Sequence, residues 1–410
     1  MKIGIIGAGI SGLSVARLLC GNNDVEILEK SSETGGIAKT RMVDGVPYHM
    51  IGGHCMNLKN QVVRDFVYEV LPEDNWHSLT RVAKISFRGN LIDYPIEFSI
   101  PQIAKFDEDL AFEMTKDFLS TKERKVENLD DWFRMSFGDT IAREYMIPYN
   151  QKIWGKPLSE ISPSWVEGKL PIPNKKQFFK SLFGVEKDKM PHAEFFYPNN
   201  DEPNQLIRAL GVGLNISLDY EVVDLKRSGL KWIVNGDKVF DTIISTMPLN
   251  LVHNLLNDTP EIVKKSSGLL RYNSITNMLW ETAGTKATWT YFPEPSTIFH
   301  RHIHIGNFLV EKSNYTITEA LGNIPRDIME REGAKIEYLK EPLDYHQSDH
   351  AYVVYDHNYD ASVKAIKDYL DSLGIYTLGR FGEWEYYNMD ICIESAMRLA
   401  EKISTTDRPS

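Results

Sequence analysis

A pattern of three glycines near the start of the chain suits the binding of a dinucleotide. Gly7, Gly9 and Gly12 form a GxGxxG motif between a predicted strand and a predicted helix. The first glycine allows a tight turn, the second lets the backbone approach a pyrophosphate, and the third lets the helix pack closely on the sheet. At the helix N-terminus, Ile10 and Ser11 can present backbone N–H groups and a positive dipole end to phosphate oxygens.

A carboxylate follows at the distance that this chemistry requires. Glu29 ends the next predicted strand, with Lys30 beside it. An acid at this position accepts hydrogen bonds from a ribose hydroxyl. Because the motif, the strand–turn–helix context and the acid occur together, they predict a dinucleotide site rather than a purely structural turn.

A second segment, near the far end of the chain, suits a negatively charged flavin. Residues 379–390 form a glycine-rich turn that begins with Gly379 and Arg380, and a predicted helix follows with Asp390 as its N-cap. A turn that leads into a helix N-terminus presents backbone N–H groups to negative charge. A reduced flavin carries such a charge near N1 and O2.

Hydrophobic periodicity predicts the elements that position these residues. Strands are predicted at 2–6, 25–29 and 242–246, hairpin strands at 215–241, and further strands at 274–311. Helices are predicted at 11–19, 362–373 and 390–403, and a proline-broken helical region extends from 101 to 183. The first three elements open a βαβ unit.

A chain of 410 residues is long enough for several packed units. We expect an α/β fold in which a discontinuous Rossmann-like FAD-binding domain carries a helical subdomain and an antiparallel sheet domain. The expected segments are 1–78, 191–255 and 346–410 for the FAD-binding domain, 79–100 and 256–345 for the substrate sheet, and 101–190 for the helical subdomain.

The composition limits the classes of partner. The formal net charge of -11 argues against non-specific binding of nucleic acid. The sequence lacks an apolar run of the ~18 residues that span a bilayer, so we expect a soluble protein with no membrane span.

The cysteines indicate a reducing compartment. Cys20, Cys55 and Cys392 are odd in number and form no CxxC pair, which argues against a disulfide framework and fits the cytoplasm. Cys20 and Cys392 are expected to be small core residues on helices. The oligomeric state is left open, a homodimer included.

The N-terminal half of the motif set resembles the amine oxidase and protoporphyrinogen oxidase superfamily. Gly35 and Gly36, followed by residues 39–41, resemble its second FAD signature, in which paired glycines bring the backbone close to the dinucleotide. Residues 219–224 resemble a strand whose backbone meets the adenine, with Val222 or Val223 at the contact. The resemblance implies that the cofactor is FAD.

Within that superfamily, the chain resembles UDP-galactopyranose mutases. Residues 379–390, with Asn388 and Met389, resemble the mutases' flavin-binding segment, and His54 stands where they have a histidine near the flavin. Trp154 stands at the position of the family's substrate-facing tryptophan, after a matching run of residues. Arg301 lies in the segment that matches the family's central arginine strand.

The resemblance implies an activity and a set of roles. In the family, N5 of reduced flavin attacks the anomeric carbon of a nucleotide sugar and the ring recloses in another size, without net redox change. Arg301, Arg380 and Tyr386 would hold the diphosphate, and Trp154 would flank the sugar. The implied partner is a small-molecule nucleotide sugar.

The chain departs from the mutase pattern in the substrate region. The mutase family has two arginines around a Leu-Pro pair, and the second of them grips the substrate. In this chain Lys169 replaces the first arginine and Pro173 replaces the second. Asn57 replaces a second histidine of the family, and Asn388 replaces one Asp of the family's YYDMD run. Because proline cannot replace an arginine's contact to a diphosphate, UDP-galactopyranose is expected to be a poor substrate unless another cation substitutes. The candidate cations are Lys169, Lys156 and Arg143.

Two competing functions stay open. One is an oxidoreductase of the amine oxidase or protoporphyrinogen oxidase kind that transfers hydride to the flavin, and the other is a catalytically idle flavin-binding scaffold.

A metal site is not expected. His300, His302 and His304 alternate, so on a strand they would share one face and Arg301 would point to the other. No fourth metal ligand presents itself.

Overall fold

The computed structural model describes residues 1–166, 170–185 and 193–406. Its strands are β1 Lys2–Ile6, β2 Asp24–Leu28, β3 Thr40–Val43, β4 Val46–His49, β5 Trp76–Thr80, β6 Ala83–Phe87, β7 Asn90–Asp93, β8 Glu194–Pro198, β9 Asn215–Ser217, β10 Leu225–Ser228, β11 Lys231–Val234, β12 Lys238–Phe240, β13 Thr242–Ser245, β14 Arg271–Thr282, β15 Trp289–Tyr291, β16 Phe299–Ile303, β17 Tyr315–Leu321, β18 Leu339–Val354 and β19 Ile375–Thr377.

The α-helices of the same ranges are α1 Ile10–Leu19, α2 Gln61–Val70, α3 Ile100–Ile103, α4 Glu108–Ser120, α5 Leu129–Phe137, α6 Asp139–Ile141, α7 Ile147–Trp154, α8 Lys175–Leu182, α9 Gln205–Gly211, α10 Leu249–Val252, α11 Glu261–Leu269, α12 Arg326–Gly333, α13 Tyr359–Ser372 and α14 Met389–Thr406. A π-helical segment, Ala142–Met146, joins α6 to α7. No helix in these ranges combines the length and the apolar character needed to cross a membrane.

A five-stranded parallel sheet carries the dinucleotide motif. Its strand order is β19-β13-β1-β2-β9, so distant parts of the chain contribute to one sheet. Helix α1 follows β1 at once and packs against α14, the last helix. The apolar runs of β1 and β13 are buried, as expected for parallel strands covered on both faces. This topology confirms the predicted α/β class and the discontinuous Rossmann-like domain.

A second, seven-stranded sheet forms the floor of the substrate region. Its order is β18-β14-β17-β16-β15-β6-β7, and β15 with β6 is its one parallel pair. Strand β18 crosses the boundary that was expected at 345/346, because its last residues still pair with the start of β14. Helices α3–α8 form the helical layer, whose apolar faces join the large core cluster.

Three local expectations are wrong. Residues 219–224 are a loop rather than a strand, held by hydrogen bonds such as that from the Val223 N–H to the Asn235 side chain. Helix α14 begins at Met389, so Asp390 lies in its first turn and is not the N-cap. Cys20 follows the end of α1 and is exposed, whereas Cys392 is buried on α14 as expected.

The packing of α1 on the glycine turn leaves no room for a side chain at Gly12. A Cβ atom at Gly12 would lie 2.0 Å from the carbonyl oxygen of Gly7, which is backbone and cannot rotate away. Gly12→Ala should therefore lower the free energy of unfolding by about 1–3 kcal/mol. The measurement is chemical denaturation of the purified protein.

The matched control is Gly268→Ala in helix α11, where a Cβ atom would have no neighbour within 4 Å. Because alanine favours a helix over glycine, this variant should be unchanged or up to about 1 kcal/mol more stable. Equal losses in the two variants would contradict the packing argument.

Candidate active site

The second glycine of the motif lies next to free space. A Cβ atom at Gly9 would meet nothing closer than Gly36 Cα at 3.9 Å and Gly35 O at 4.0 Å. At Gly7, in contrast, φ is +100° and a Cβ would lie 2.3 Å from Thr246 Oγ1. Protein packing thus explains Gly7 but not Gly9. The turn fits a ligand that approaches the backbone at Gly9, as a pyrophosphate does.

Glu29 is tied to the same turn. Its carboxylate accepts hydrogen bonds from the backbone N–H groups of Ala8 at 2.7 Å and Ser31 at 2.9 Å. The loop 219–224 runs beside it, since the Tyr220 N–H donates to the Glu29 carbonyl oxygen. In that loop Val222 is buried and Val223 is 62% exposed. Val222 therefore faces the protein. Lys30, the residue after Glu29, is exposed.

The two ends of the chain meet at this turn. A Cβ atom at Gly379, where φ is +87°, would lie 2.3 Å from Ser11 Oγ in the first turn of α1. The Gly379 N–H donates to the Glu383 carboxylate, so this N–H is occupied within the protein. The structure therefore brings the two predicted dinucleotide segments into contact, although not every N–H of the second segment is available to a ligand.

A cavity of about 350 Å³ opens between the large sheet and the helical layer. Of the residues singled out in the sequence, Arg301, Tyr386, Asn388 and Asn57 line it. Met389 and His54 instead line a smaller adjoining pocket that Ile10 and Ala38 also border. Cys55 borders both spaces, which places the cavity directly beside the glycine turn.

A fully buried carboxylate, Glu319 on β17, organises one wall of the cavity. Its oxygens contact Arg301 Nη2 at 2.7 Å, His300 Nε2 at 2.8 Å and the Tyr352 hydroxyl at 2.7 Å. The Gly52 N–H also donates to it at 3.0 Å. Two strands, β16 and β18, and the loop at Gly52 therefore converge on this carboxylate of β17.

A β-bulge explains why the strand does not follow the expected alternation. The pairing of β16 with β17 shifts register between Phe299 and Arg301, so that two steps on β16 oppose one on β17. Such a bulge re-aims side chains. His300 and Arg301 consequently reach the same carboxylate and line the same cavity, and the prediction that they point to opposite faces is wrong.

The three buried histidines of this strand region each have a partner. His300 contacts Glu319, His302 contacts the Tyr338 hydroxyl, and His304 contacts Thr290 and Thr316.

The surroundings of Glu319 keep it ionised. Burial alone would raise its pKa, but Arg301 and the hydrogen bonds from His300 and Tyr352 lower that pKa well below the usual value. Burial lowers the pKa of His300, against the pull of Glu319. The Arg301 guanidinium is thus held by a charged partner while it faces the cavity.

Arg380 supports the cavity rather than lining it. It donates to the carbonyl oxygens of Ala351 at 2.5 Å and Tyr387 at 3.2 Å, and its guanidinium carbon lies 4.5 Å from the centre of the Tyr386 ring. The Tyr386 ring in turn stacks on Tyr352 at 5.8 Å. The predicted contact of Arg380 with substrate is therefore indirect in this geometry, whereas Tyr386 lies at the cavity surface.

His54 is a neutral group between the glycine turn and the cavity. Burial lowers its pKa to about 4, and its ring stacks on His49 at 4.9 Å. Nearby, burial raises the pKa of Asp390 to about 6, while a hydrogen bond from Asn57 opposes that shift.

Trp154 lies in the protein core. It is 2% exposed and packs edge-on against Trp165, at 5.0 Å between ring centres. Trp165, at the end of a short 3-10 turn, is the tryptophan of this pair that lines the cavity. The sequence offered no spacing signal for it.

Arg81 is a cation of the cavity that the sequence analysis missed. Its guanidinium stacks on Trp289, 4.1 Å from the ring centre, and donates to the Tyr291 hydroxyl at 3.1 Å. No carboxylate in the described ranges forms an ion pair with it, and its buried Nε has no partner there. Arg81 and Arg301 both line the cavity, so the two positive charges share one region.

The other candidate cations lie elsewhere. Lys156 pairs with Glu160 and Arg143 pairs with Glu144, and neither Lys156 nor Arg143 lines the cavity. Lys169 lies outside the described residues. Pro173 is described and is buried.

Part of the chain matches known proteins in sequence. Residues 5–70 match the family described as NAD(P)-binding Rossmann-like domain. Over 172 residues the chain is 27% identical to a UDP-galactopyranose mutase of Mycoplasma genitalium, covering 38% of this chain and 41% of that protein. Over 198 residues it is 26% identical to a dTDP-fucopyranose mutase of Escherichia coli, covering 46% of this chain and 51% of that protein. The chain thus spans about half or less of the length of these curated relatives.

The similarity in three dimensions covers the whole chain. A crystal structure of reduced UDP-galactopyranose mutase superposes with a TM-score of 0.85 at 19% identity, covering 100% of this chain and 96% of that one. The chain is similar to UDP-galactopyranose mutases and has their fold. A putative protoporphyrinogen oxidase from Exiguobacterium sp. has a TM-score of 0.76 at 16% identity and covers 99% of both chains. The resemblance to UDP-galactopyranose mutases is confirmed.

The contacts of Glu319 predict that this carboxylate stabilises the folded protein. Glu319→Gln should lower the free energy of unfolding by about 3–5 kcal/mol at pH 7, because it leaves the buried Arg301 charge uncompensated. The folded-state pKa of Glu319 is below the ~4.3 of an unfolded glutamate, so its contribution is present above about pH 4 and is lost as the pH falls. The difference between wild type and variant should therefore shrink in acid.

Denaturation curves at several pH values measure this difference. The control is Glu330→Gln, which removes an exposed ion pair with Arg326 and should cost less than about 1 kcal/mol. A loss in Glu319→Gln no greater than in the control would refute the role of Glu319.

Proposed function

We propose that this chain is an FAD-dependent enzyme that isomerises a nucleotide sugar, in the manner of the mutases it resembles. The observation that carries the proposal is the position of Arg301, held by Glu319 at the wall of a cavity that adjoins the glycine turn. A guanidinium at such a place suits a diphosphate. The names of the relatives, which refer to UDP- and dTDP-sugars, support the same substrate class.

FAD fits the residues that would hold it. The pyrophosphate would lie at Gly9 and the α1 N-terminus, and Glu29 would bind the adenosine ribose. Gly35, Gly36 and the segment from Gly379 to Met389 would border the rest of the cofactor. When it is bound and reduced, the flavin supplies a nucleophilic N5 beside the cavity.

Gly9→Val tests this arrangement. The variant should lose FAD, because its side chain would occupy the space of the pyrophosphate, while the fold should persist, because the nearest protein atoms leave room for a Cβ. The measurement is the ratio of FAD to protein after purification, together with a thermal melt of the FAD-free protein. Full FAD occupancy in Gly9→Val would show that the cofactor does not lie on this turn.

The protein's own residues would bind and orient the substrate. Arg301 would contact the diphosphate, Arg81 would add a second positive charge to the same region, and the Tyr386 hydroxyl would reach a phosphate oxygen. His54, neutral at physiological pH, would donate or accept a hydrogen bond near the flavin without adding charge. Trp165, rather than Trp154, is the tryptophan of the cavity surface that would flank the sugar.

The substrate preference is proposed to differ from that of the mutases. Pro173 cannot make the contact of the arginine it replaces, and the loss of such a charge-assisted hydrogen bond costs about 1.5–3 kcal/mol, or roughly 10- to 100-fold in binding. We infer that UDP-galactopyranose is a poor substrate unless Arg81 or Lys169 compensates. The affinities of the wild type, Arg81→Lys and Lys169→Ala for UDP-galactose show which of these two cations compensates, because the variant of that cation should bind more weakly.

Arg301→Lys tests the diphosphate contact. Lysine keeps a positive charge near Glu319 but lacks the planar fork that binds two phosphate oxygens, so UDP affinity should fall by about 10- to 100-fold. Arg143→Lys is the control, because Arg143 is an exposed residue paired with Glu144 that does not line the cavity, and it should bind UDP as the wild type does. Unchanged UDP affinity in Arg301→Lys would show that the diphosphate does not bind at Arg301.

A second candidate function is an oxidoreductase that transfers hydride to the flavin. The missing arginine at Pro173 and the likeness in fold to a putative protoporphyrinogen oxidase favour it. Anaerobic screening separates the candidates: an oxidase substrate bleaches the oxidised flavin, whereas a mutase substrate is isomerised after the flavin has been reduced. An idle scaffold does neither.

A further inference from the structure

Glu97 is a buried acid of the cavity and forms no ion pair with any of the residues that the structure describes. It lies in a short 3-10 turn, Ile96–Phe98, and is 4% exposed. Its side chain lines the cavity, and Oε2 has no hydrogen-bond partner in the described part of the chain. The elements that pack against this turn are α3, α8 and β7.

Aromatic rings form the cavity wall in this region. Phe133 and Phe137 of α5, together with Tyr145 and Tyr149, line the cavity with Glu97. The rings of the two tyrosines are stacked, 5.5 Å apart and 5° from parallel. Flat aromatic surfaces bind planar heterocycles by stacking, at about 1–3 kcal/mol for each base.

The cavity lining contains two cations, Arg81 and Arg301, and one acid, Glu97. Arg301 and Arg81 interact with each other, whereas neither forms an ion pair with Glu97 in the described ranges. A ligand that spans the cavity would therefore have an anionic group near the arginines and an uncharged planar group near Glu97. A nucleoside diphosphate has this distribution.

The surroundings of Glu97 favour its protonated form. Burial raises its pKa to about 7. The phenols of Tyr94 and Tyr145 interact with it, but burial raises both of their pKa values above 10, so they stay neutral. A bound base would displace more water and raise the pKa of Glu97 further.

Charged groups on the neighbouring elements do not offset this effect. On β7, Asp93 is paired with Lys84. Helix α3 has no ionisable side chain. Helix α8 carries Lys175, Lys176 and Lys180, and Lys175 donates to the carbonyl oxygen of Thr121.

We propose that the protonated carboxyl of Glu97 recognises the imide edge of a uracil or thymine base, donating to a ring carbonyl oxygen and accepting from N3–H. This inference rests on the proposed function and specifies its nucleotide. Guanine presents two adjacent donors, N1–H and N2–H, and would require an ionised carboxylate. An ionised carboxylate without a cation in an aromatic wall is costly.

Proton linkage tests the inference on the FAD-loaded protein. Dissociation constants of UDP, dTDP and GDP are measured by calorimetry at pH ~6 and pH ~8.5. UDP and dTDP should bind better than GDP, and the wild type should lose about 30-fold in UDP affinity across this range, because the free carboxyl ionises above about pH 7.

Glu97→Gln is the matched variant, since its amide keeps one donor and one acceptor in the same place. It should bind UDP about as well as the wild type does at pH ~6, and most of the pH dependence should disappear. Glu97→Ala should bind UDP weakly at both pH values. FAD content and thermal melts verify that each variant is folded.

Several results would overturn the inference while the proposed function stands. They are a preference for GDP, an affinity for UDP that rises with pH, and a Glu97→Gln variant that binds weakly or keeps the wild-type pH dependence. If the wild type binds none of the three nucleotides, the nucleotide-sugar function itself fails, and this inference fails with it.

Discussion

One buried carboxylate holds a wall of the cavity together. Glu319 on β17 contacts Arg301 and His300 of the neighbouring strand β16, Tyr352 of β18 at the edge of the sheet, and the Gly52 N–H of a loop. A buried carboxylate is tolerated when each of its oxygens is paired, and its removal would leave a cation unpaired. The bulge in β16 is what allows two consecutive residues to reach it.

The same network connects the two halves of the site. Gly52 begins the loop that includes His54 and Cys55, and this loop borders both the cavity and the pocket beside the glycine turn. On the other side, Tyr352 stacks on Tyr386, which belongs to the segment that contacts α1. A change at Glu319 would therefore affect the pocket beside the glycine turn as well as the cavity.

Local signals predicted the dinucleotide half of the structure. The glycine spacing and Glu29 act over a few residues, and the motifs at residues 7–12 and 379–390 marked two segments that the fold brings into contact. Glu319, Arg81 and Glu97 had no such signal, because their importance depends on partners brought together by the fold. Alternation along β16 predicted the wrong face for Arg301, since a bulge does not change the hydrophobic pattern. Trp154 matched a motif, yet the chain turns so that Trp165 lies at the cavity surface.

The central claim is that Arg301, held by Glu319, binds a diphosphate beside the cofactor. The most direct measurement is a crystal structure of the reduced, FAD-loaded protein with UDP bound. The account predicts the diphosphate within hydrogen-bond distance of the Arg301 guanidinium, with the flavin ring beside the cavity. A diphosphate bound away from Arg301, or a flavin ring outside the pocket bordered by His54 and Met389, would contradict it.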